Sequence, residues 1–344
     1  MYLTSKIILH PTEQQENTLK NLISIYKSEV NECLKKFILN KKLTWIPYSS
    51  LNRHLPWESK KEVIKEASKI FRDRFKLQGT INQQVSFTGD YCKWHCNSFT
   101  FASKLNLQIG QQSRMIVEYY ADEYQKHLLS SGYLTSLKIT KIEKKWICYI
   151  KILKPDPQPF GEYVLGVDLG IKVPAVAATN VGKIRFFGNG RELRYICTHQ
   201  TNRLSKLMKD KNFKIIRKMN KRWGNKLLNI DHRISKAIID FAVDENVGTI
   251  YLENLNHIQK KSDAGRRIST WSYTRLKSFI EYKAQTKGIS VKLINPHNTS
   301  KTCPKCNRLN QSLTRQYTCP CGYKNHRDIV GALNICNYNS RRSN

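Results

Sequence analysis

This sequence of 344 residues has no long apolar segment, and its acidic residues are few beside its basic ones. No apolar run approaches the 18 or so residues of a membrane-spanning helix, and residues 1–15 lack the hydrophobic centre of a secretory signal. We therefore expect a cytosolic protein with no membrane partner. Only 26 Asp and Glu stand against 59 Lys and Arg, which gives a net charge of +33. A polyanion that neutralises this charge is the expected partner, and nucleic acid is favoured over an anionic membrane surface.

The chain is longer than a single hydrophobic core usually supports, and its 40% apolar residues predict two or three packed domains. The main break is the proline-rich segment 154–161. Apolar periodicity before the break predicts a strand, then helices, then strands. These elements are a strand at 2–9, helices at 12–40 and 58–77 with further helices to about residue 90, and strands across 99–154.

The residues after the break alternate strands and helices, with a long basic segment between two of the strands. Their order, βββ-α-β-α-β-(insert)-α, predicts an RNase H-like α/β fold. The elements are strands at 163–170, 176–179, 184–187, 249–253 and 289–294, and helices at 234–245, 273–287 and after residue 327.

Three carboxylates stand at the ends of these elements: Asp168 and Glu253 each end a strand, and Asp328 begins the last helix. In such a fold the two strand ends can lie side by side, and the helix can bring the third acid to them. Clustered carboxylates repel one another unless cations bind, so we expect two Mg²⁺ ions that activate water and stabilise a leaving 3′ oxygen. Each acid alone also fits a turn or a helix cap. The three together in a basic chain favour a metal-dependent nuclease.

Four of the ten cysteines stand in two knuckles, Cys303-Pro-Lys-Cys306 and Cys319-Pro-Cys321. Their spacing predicts a structural Zn²⁺ held by four thiolates, although the second knuckle is one residue shorter than the usual CxxC. A disulfide is disfavoured in a reducing compartment, and a redox pair would need a thioredoxin-like βαβ context. The cluster at 92–96 has no partner at ligand spacing and is expected to contain ordinary thiols.

Longer motifs surround these acids and cysteines: Gly166-Val-Asp168-Leu-Gly170, Ile250-Tyr-Leu-Glu253-Asn-Leu255, Thr299-Ser-Lys-Thr-Cys303-Pro-Lys-Cys306 and Cys321-Gly-Tyr-Lys-Asn-His-Arg327-Asp328-Ile-Val-Gly-Ala-Leu-Asn334-Ile335. Together they resemble the TnpB family, the RNA-guided nucleases of IS200/IS605- and IS607-type transposons and relatives of the compact Cas12 effectors. The resemblance covers residues 160–335 well and the residues before them only in outline.

The resemblance implies a RuvC nuclease domain split by a zinc-ribbon insert, with Asp168, Glu253 and Asp328 as metal ligands and Arg327 beside the scissile phosphate. It implies a guide RNA from the transposon end, double-stranded target DNA next to a short motif, and a place at the nucleoid of a prokaryotic cell. The sequence does not determine the oligomeric state, and a monomer is favoured. The implied domains are a wedge β-barrel at 1–10 and 99–158, a helical recognition lobe at 11–98, the nuclease domain at 159–300, the zinc ribbon at 301–323, and the third nuclease motif with the C-terminal tail at 324–344.

The basic segment 203–236 is where we expect contacts with phosphates, because it carries 12 Lys and Arg against two Asp. A solvated helix face is the alternative. Residues 260–267, a polar stretch after Glu253, can be either a lid over the active site or an ordinary loop. The expected nucleic-acid contacts are Arg203, Lys206, Lys214, Arg217, Lys218, Lys221, Arg222 and Trp223.

The sequence therefore predicts an RNA-guided, Mg²⁺-dependent DNA endonuclease that cuts both strands in turn at one RuvC site. Three alternatives stay open: a miniature CRISPR Cas12-type effector, a guide-directed repressor that binds DNA without cutting it, and a transposase that works without a guide. The presence of all three acids favours catalysis over repression.

Overall fold

The computed structural model describes residues 1–78, 85–170, 172–254, 273–310 and 314–338, and at 75–78 it describes the backbone alone. The chain divides into two units, with the boundary between Pro155 and Asp156. This boundary lies in the segment where three prolines, which cannot donate a backbone hydrogen bond, interrupt regular structure. No helix in the described ranges combines the length and the apolar character needed to cross a lipid bilayer.

The first unit is built on one curved antiparallel sheet. Its strands are β1 Tyr2–His10, β2 Tyr91–His95, β3 Phe99–Phe101, β4 Leu105–Gln108, β5 Arg114–Tyr120, β6 Tyr133–Ile142 and β7 Lys145–Leu153. They pair in the order β2-β6-β7-β1-β5-β4-β3. The indole Nε1 of Trp94 on β2 nevertheless donates a 2.8 Å hydrogen bond to the carbonyl oxygen of Gln108 on β4. Since these strands are far apart in the pairing order, the sheet curls around a shared core.

Helices of the first unit pack on this core. They are α1 Glu13–Leu39 and α2 Trp57–Gln78, between β1 and β2, and α3 Glu123–Ser130. The predicted start of α1 is confirmed, because Thr12 and Gln15 form a reciprocal capping box. Its buried side chains recur at helical spacing and include Leu19, Leu22, Tyr26, Val30, Leu34 and Phe37.

The first unit differs from the sequence prediction at two places. The range 11–98 was assigned to a helical lobe, but residues 85–90 are not helical and Tyr91–His95 is a strand that pairs with β6. Its buried residues, Cys92 and Trp94, alternate with period two in a run too short to show a clear pattern. The helix α3 interrupts the predicted strands at 99–154, and Asp122 caps it through a second capping box with Gln125.

The second unit contains a five-stranded mixed sheet with helices on both faces. Its strands are β8 Tyr163–Leu169, β9 Ala175–Thr179, β10 Ile184–Phe187, β11 Val247–Glu253 and β12 Ser290–Ile294, and its helices are α4 Gly190–Lys209, α5 Phe213–Asp244, α6 Tyr273–Gln285 and α7 Arg327–Cys336. The strand order is β10-β9-β8-β11-β12. The first three strands pair antiparallel, whereas β11 runs parallel to both β8 and β12.

Each face of this sheet has its own apolar layer. Leu165, Val167, Ile250 and Leu252 join the core formed with α4, α5 and α6, while Val176 and Ala178 pack against Ala332 of α7. The predicted meander at 163–187 is confirmed. The prediction of one helix between the meander and β11 is wrong, because α4 and a 32-residue α5 occupy this interval. The many exposed charged residues of α4 and α5 obscure the helical spacing of their apolar residues.

A two-stranded ribbon precedes α7. Its strands, β13 Gln316–Thr318 and β14 Lys324–His326, pair antiparallel. The ribbon thus extends three residues beyond the predicted boundary at 323 and leads directly into α7 at Arg327. Three-residue strands are too short to be detected by alternation, so this boundary could not be placed from the pattern alone.

Candidate active site

Asp168 and Glu253 are brought together by the register of two parallel strands. Val167 on β8 pairs with Leu252 on β11, so the two acids that follow lie at the same level of the sheet. Residues at one level of neighbouring strands project from the same face. Both carboxylates therefore project away from the core that buries Val167 and Leu252, toward the face that α7 covers.

Two glycines allow α7 to lie directly on this face. A Cβ atom added to Gly166 of β8 would lie 2.2 Å from the carbonyl oxygen of Ala332 and from the backbone nitrogen of Cys336. A Cβ added to Gly331 of α7 would lie 2.5 Å from Oδ2 of Asp168. The absence of both side chains lets the helix approach the strand closely. As a result Asp328, in the first turn of α7, reaches the strand acids.

The three acids line one cavity of about 570 Å³ together with Lys172, Thr299, Ser300, Arg315 and Arg327. Burial, reinforced by the negative charges of Glu253 and Asp328, raises the pKa of Asp168 well above its ordinary value of 3.8. Burial also raises the pKa of Glu253, against the lowering effect of a hydrogen bond from Thr299. Two crowded carboxyl groups with raised pKa values are a functional signature, and cations would relieve their repulsion.

Arg315 is a site residue that the sequence analysis missed. Its Nη1 donates to both carboxylate oxygens of Asp328, at 2.6 Å from Oδ1. The pairing follows from the ribbon, where the backbone N–H of Arg327 donates to the carbonyl oxygen of Arg315 over 2.8 Å. A contact between residues 13 positions apart depends on the ribbon register, and no local pattern in the sequence signals it.

A second missed group positions Glu253. The hydroxyl of Thr299 donates to Oε1 of Glu253, and the backbone of this loop is held by buried Asn334 of α7. The amide of Asn334 donates to the carbonyl oxygens of Thr299 and Thr302, at 2.5 and 2.7 Å. The motif Asn334-Ile335 was recognised in the sequence, but its role as an anchor for the loop that meets Glu253 was not.

Two further residues border the acids. Arg327 lines the cavity, and its Nη2 donates to the hydroxyl of Ser300 over 3.4 Å. Tyr273, at the start of α6, is buried, and burial together with the charges of Asp168 and Glu253 raises its pKa. Tyr273 thus stays a neutral phenol within the electrostatic influence of the two strand acids.

The four cysteines of the predicted knuckles meet in space. The sulfur atoms of Cys303, Cys306, Cys319 and Cys321 all lie within 4.8 Å of one another, and two pairs are 3.5 and 3.7 Å apart. Ligands about 2.3 Å from a tetrahedral ion are about 3.8 Å apart, so one Zn²⁺ fits among them. Burial opposes ionisation of the Cys303 thiol, but backbone N–H groups of Cys306 and Lys305 lower its pKa to about 7.

The predicted nucleic-acid contacts lie on α4 and on the first half of α5. All seven cations are exposed, whereas Trp223 is half-buried and packs against the core of the second unit. Lys226 also lies over its ring, with Nζ 5.6 Å from the centroid. The five cations of α5 follow spacings of three and four residues, which places them on one helix face. They are Lys214, Arg217, Lys218, Lys221 and Arg222.

The stretch 260–267, interpreted above as a lid or a loop, lies outside the described residues, as do Leu255 of the second motif and residues 339–344 of the tail.

Comparison with known proteins gives matches over much of this chain. The family described as "Cas12f1-like, TNB domain" matches residues 273–335. A CRISPR-associated endodeoxyribonuclease Cas12f1 from an uncultured archaeon is 29% identical over 251 residues, which cover 62% of this chain and 46% of the relative. A TnpB-like protein of Methanocaldococcus jannaschii is 33% identical over 143 residues, which cover 39% of this chain and 51% of the relative. The matched regions thus span about half the length of these relatives.

Solved structures extend the likeness to the fold. The Cas12f1 chain of a cryo-EM complex with sgRNA and target DNA matches 93% of this chain with a TM-score of 0.70 at 18% identity, over 81% of its own length. The mini-RNA-guided endonuclease CRISPR-Cas_phi3 matches 97% with a TM-score of 0.50 at 12% identity, over 92% of its own length. The chain is therefore related to the TnpB-like proteins and to the Cas12f1 endodeoxyribonucleases, and it shares the fold of compact Cas12 effectors.

Proposed function

We propose that this protein is an RNA-guided, Mg²⁺-dependent DNA endonuclease with a single RuvC site. The observation that carries the proposal is the meeting of Asp168, Glu253 and Asp328 in one cavity that also contains Arg327. The strand order β10-β9-β8-β11-β12, which places the two strand acids on neighbouring strands, supports an RNase H-like fold. No residue of the proposed mechanism needs to form a covalent intermediate.

The acids fit divalent cations on electrostatic grounds. Burial and the charges of two other carboxylates raise the pKa of Asp168. Hard cations, which prefer oxygen ligands, would favour the ionised carboxylate and so lower this pKa. When bound, two Mg²⁺ ions would supply an activated water and stabilisation of the leaving 3′ oxygen. Arg327 and Lys172, which line the same cavity, would hold the scissile phosphate, and Thr299 would orient Glu253.

The proposed partners are a guide RNA and double-stranded target DNA. The net charge of +33 and the cationic face of α5 support phosphate contacts along a guide–target duplex. In the proposed arrangement the first unit is the wedge with its helical recognition lobe, which reads a short motif next to the target. The four-cysteine cluster would hold a structural Zn²⁺ in the ribbon.

A CRISPR effector is the second candidate, because the relatives include both Cas12f1 endodeoxyribonucleases and TnpB-like proteins. The two candidates share their chemistry and differ in the origin of the guide. Sequencing the RNA that co-purifies with the protein separates them: a transposon-end transcript supports the first, and a repeat-derived transcript supports the second.

Replacing Asp168 with alanine tests the catalytic part of the proposal. We expect Asp168→Ala to cut plasmid DNA roughly 10³-fold more slowly or not at all, because a lost metal ligand removes several kcal/mol of transition-state stabilisation. Binding of guide and target should persist. The control is Asp240→Ala, which removes an exposed acid of α5 paired with Lys236. Undiminished cutting by Asp168→Ala would exclude this site as the catalytic centre.

A further inference from the structure

The outward side of α4 carries two aromatic rings that the proposed function does not use. Tyr195 is 63% exposed, and its ring centroid lies 4.4 Å from that of His199, one helical turn further along, with the ring planes 52° apart. The opposite side of the helix is anchored, because Leu193 and Ile196 are buried in the core of the second unit. A fixed helix therefore presents both rings to solvent.

Polar and charged side chains continue this side of α4 before and after the rings. Side chains three or four residues apart lie on one side of a helix, and four residues advance along the axis by about 6 Å. Arg191 thus lies one turn before Tyr195, and Asn202 and Lys206 extend the same side beyond His199. All five side chains are exposed, and together they are called the α4 face below.

Charge limits what the α4 face can bind. The helix contains five Lys and Arg against one acid, Glu192, whose Oε1 lies 3.8 Å from Nη2 of Arg233. A second copy of this chain, with its own net charge of +33, would be repelled, whereas a polyanion would be attracted. Cations beside exposed aromatic rings are typical of surfaces that contact the phosphates and the bases of one nucleic-acid strand.

The exposed rings distinguish the α4 face from the cationic face of α5. Trp223, which lies among the cations of α5, is half-buried and packs against the core, so that face offers charge without a free ring. In a duplex the bases are already stacked on one another. Tyr195 and His199 can therefore stack only on a base that is unpaired.

We propose that the α4 face is a binding site for single-stranded nucleic acid. An unpaired base stacks on Tyr195 and His199, and Arg191 and Lys206 hold the neighbouring phosphates. The inference rests on nucleic acid as the partner in the proposed function, and it does not depend on cleavage. The ligand is defined by its unpaired base and its phosphates, which a displaced DNA strand and an unpaired RNA segment share.

Photocrosslinking tests where the unpaired base lies. The probes are a short DNA strand and the RNA strand of the same sequence, each with a central 5-iodouracil, which on irradiation crosslinks to an aromatic side chain stacked on it. They are bound to the full-length protein without guide, in a buffer free of divalent cations so that neither is cut. Mass spectrometry should place the crosslink on Tyr195 or His199, and a crosslink found only on other elements overturns the proposal.

Affinities of variants separate stacking from charge. Tyr195→Ala should bind the single strand about 10-fold more weakly or worse, the usual effect of losing one stacked base, while Tyr195→Phe keeps the ring and should bind like the wild type. Because the phenol is uncharged, Tyr195→Ala should leave the slope of log affinity against log salt unchanged. Arg191→Gln should lower that slope by about 0.7. Affinity of Tyr195→Ala for a duplex of the same sequence should stay at the wild-type value.

The control is Tyr124→Ala, which removes a tyrosine of similar exposure, 69%, from α3 and should leave single-strand binding unchanged. Unchanged single-strand affinity of Tyr195→Ala overturns the proposal, and so does an equal loss of duplex affinity. A wild-type dimer that Tyr195→Ala dissociates also overturns it, because the α4 face then binds a second copy.

The two probes also identify the source of the strand. Tighter binding of the DNA probe supports the site and assigns it to a displaced DNA strand, whereas tighter binding of the RNA probe supports it and assigns it to an unpaired RNA segment. Wild-type protein that never cuts target DNA contradicts the proposed function. The crosslink and the affinities, measured without cleavage, then still decide whether the α4 face binds a single strand.

Discussion

Asp168 and Asp328 are the same chemical group in two electrostatic environments. Asp168 is crowded by other carboxylates, and burial is the largest cause of its raised pKa. Asp328 instead has Arg315 as a direct counter-ion. In the metal-free site the counter-ion thus lies at Asp328, while burial and neighbouring carboxylates oppose the ionisation of Asp168. This difference gives the two acids opposite effects on the stability of the metal-free protein.

Replacing Asp168 with asparagine should stabilise the metal-free protein at neutral pH, although it removes a proposed metal ligand. A carboxyl group with a raised folded-state pKa binds its proton more tightly in the folded than in the unfolded protein. The stability it confers at low pH is lost as the pH rises from about 4 through the raised folded-state pKa. The melting temperature in EDTA should thus fall with pH for the wild type and fall less steeply for Asp168→Asn.

The matched variant is Asp328→Asn, which loses its ion pair with Arg315 and should gain no stability at neutral pH. The pKa of Glu253 is also raised, so Glu253 should account for part of the decrease of melting temperature with pH that remains in Asp168→Asn. A wild-type melting temperature that does not change between pH 5 and pH 8 would contradict the assignment of buried charge to Asp168.

At this scale the sequence predicts which acids meet in the cavity, because each stands at the end of a predicted element. It does not reveal that Arg315 and Thr299 contact these acids. The contact of Arg315 depends on the register of the ribbon, and that of Thr299 depends on a loop held by Asn334. The cysteines were predictable from spacing alone. The partly buried position of Trp223 could not be predicted, because an aromatic residue within a basic helix can either pack into the core or stack on a nucleic-acid base.

Among the elements, the contact between α7 and β8 determines whether the third acid reaches the other two. At Gly166 the two elements approach closely, because an added methyl group would meet the backbone of α7, which cannot rotate away. Two other features hold α7 in place: Tyr317 of the ribbon packs with Val330, and Asn334 anchors the loop 299–302. The position of Asp328 thus depends on a glycine in a different element.

Gly166→Ala should destabilise the protein by about 1–3 kcal/mol, the usual cost of overpacking, and should reduce cleavage because α7 carries Asp328 away from Asp168. The matched control is Gly224→Ala in α5, where an added methyl group meets no atom within 4 Å. That change should stabilise the helix by about 0.5–1 kcal/mol. Denaturant unfolding measures both changes, and equal effects of the two substitutions would rule out the proposed close contact.

The elements differ in how well sequence reveals them. The helix α1 and the strands β8 and β11 carry strong signals, a capping box in the first case and buried apolar runs in the others. The strand β2 and the ribbon are short, and their identity depends on partners that are distant in sequence. The periodicity of apolar residues therefore identifies helices and strands that are long enough to bury one face. It does not identify short strands that form only by pairing with residues distant in sequence.

Across the whole sequence, Lys and Arg exceed Asp and Glu by 33, and α4 and α5 carry a dense part of this excess. On α5 the five cations between Lys214 and Arg222 occupy one helix face, while Met219 and Leu227 are buried. This separation leaves the cationic face open to a polyanion. Binding by such a face depends on the release of counter-ions, which makes salt the informative variable.

The double variant Lys214→Gln/Lys218→Gln should bind nucleic acid more weakly and with less dependence on salt. Each lost phosphate contact should lower the slope of log affinity against log salt by about 0.7–0.9. The control is Lys287→Gln/Lys292→Gln, which removes the same charge from exposed positions beside and within β12. Filter binding of guide RNA and of target DNA across a salt series gives the slopes. Equal slopes in the two double variants would contradict a specific role for this face.

The β13–β14 ladder also predicts which changes in length this protein can tolerate. The pairs Gln316–His326 and Thr318–Lys324 lie between the knuckle and the cavity, and the shortened Cys319-Pro-Cys321 lies beyond them, where a turn through Gly322 closes the ribbon. A residue lost at that distal end changes the turn and leaves Arg315 and Asp328 facing each other. A residue inserted within β13 would turn alternate side chains to the opposite face and remove Arg315 from the cavity. Insertions and deletions should therefore accumulate at the knuckle and be excluded from the six residues of the ladder.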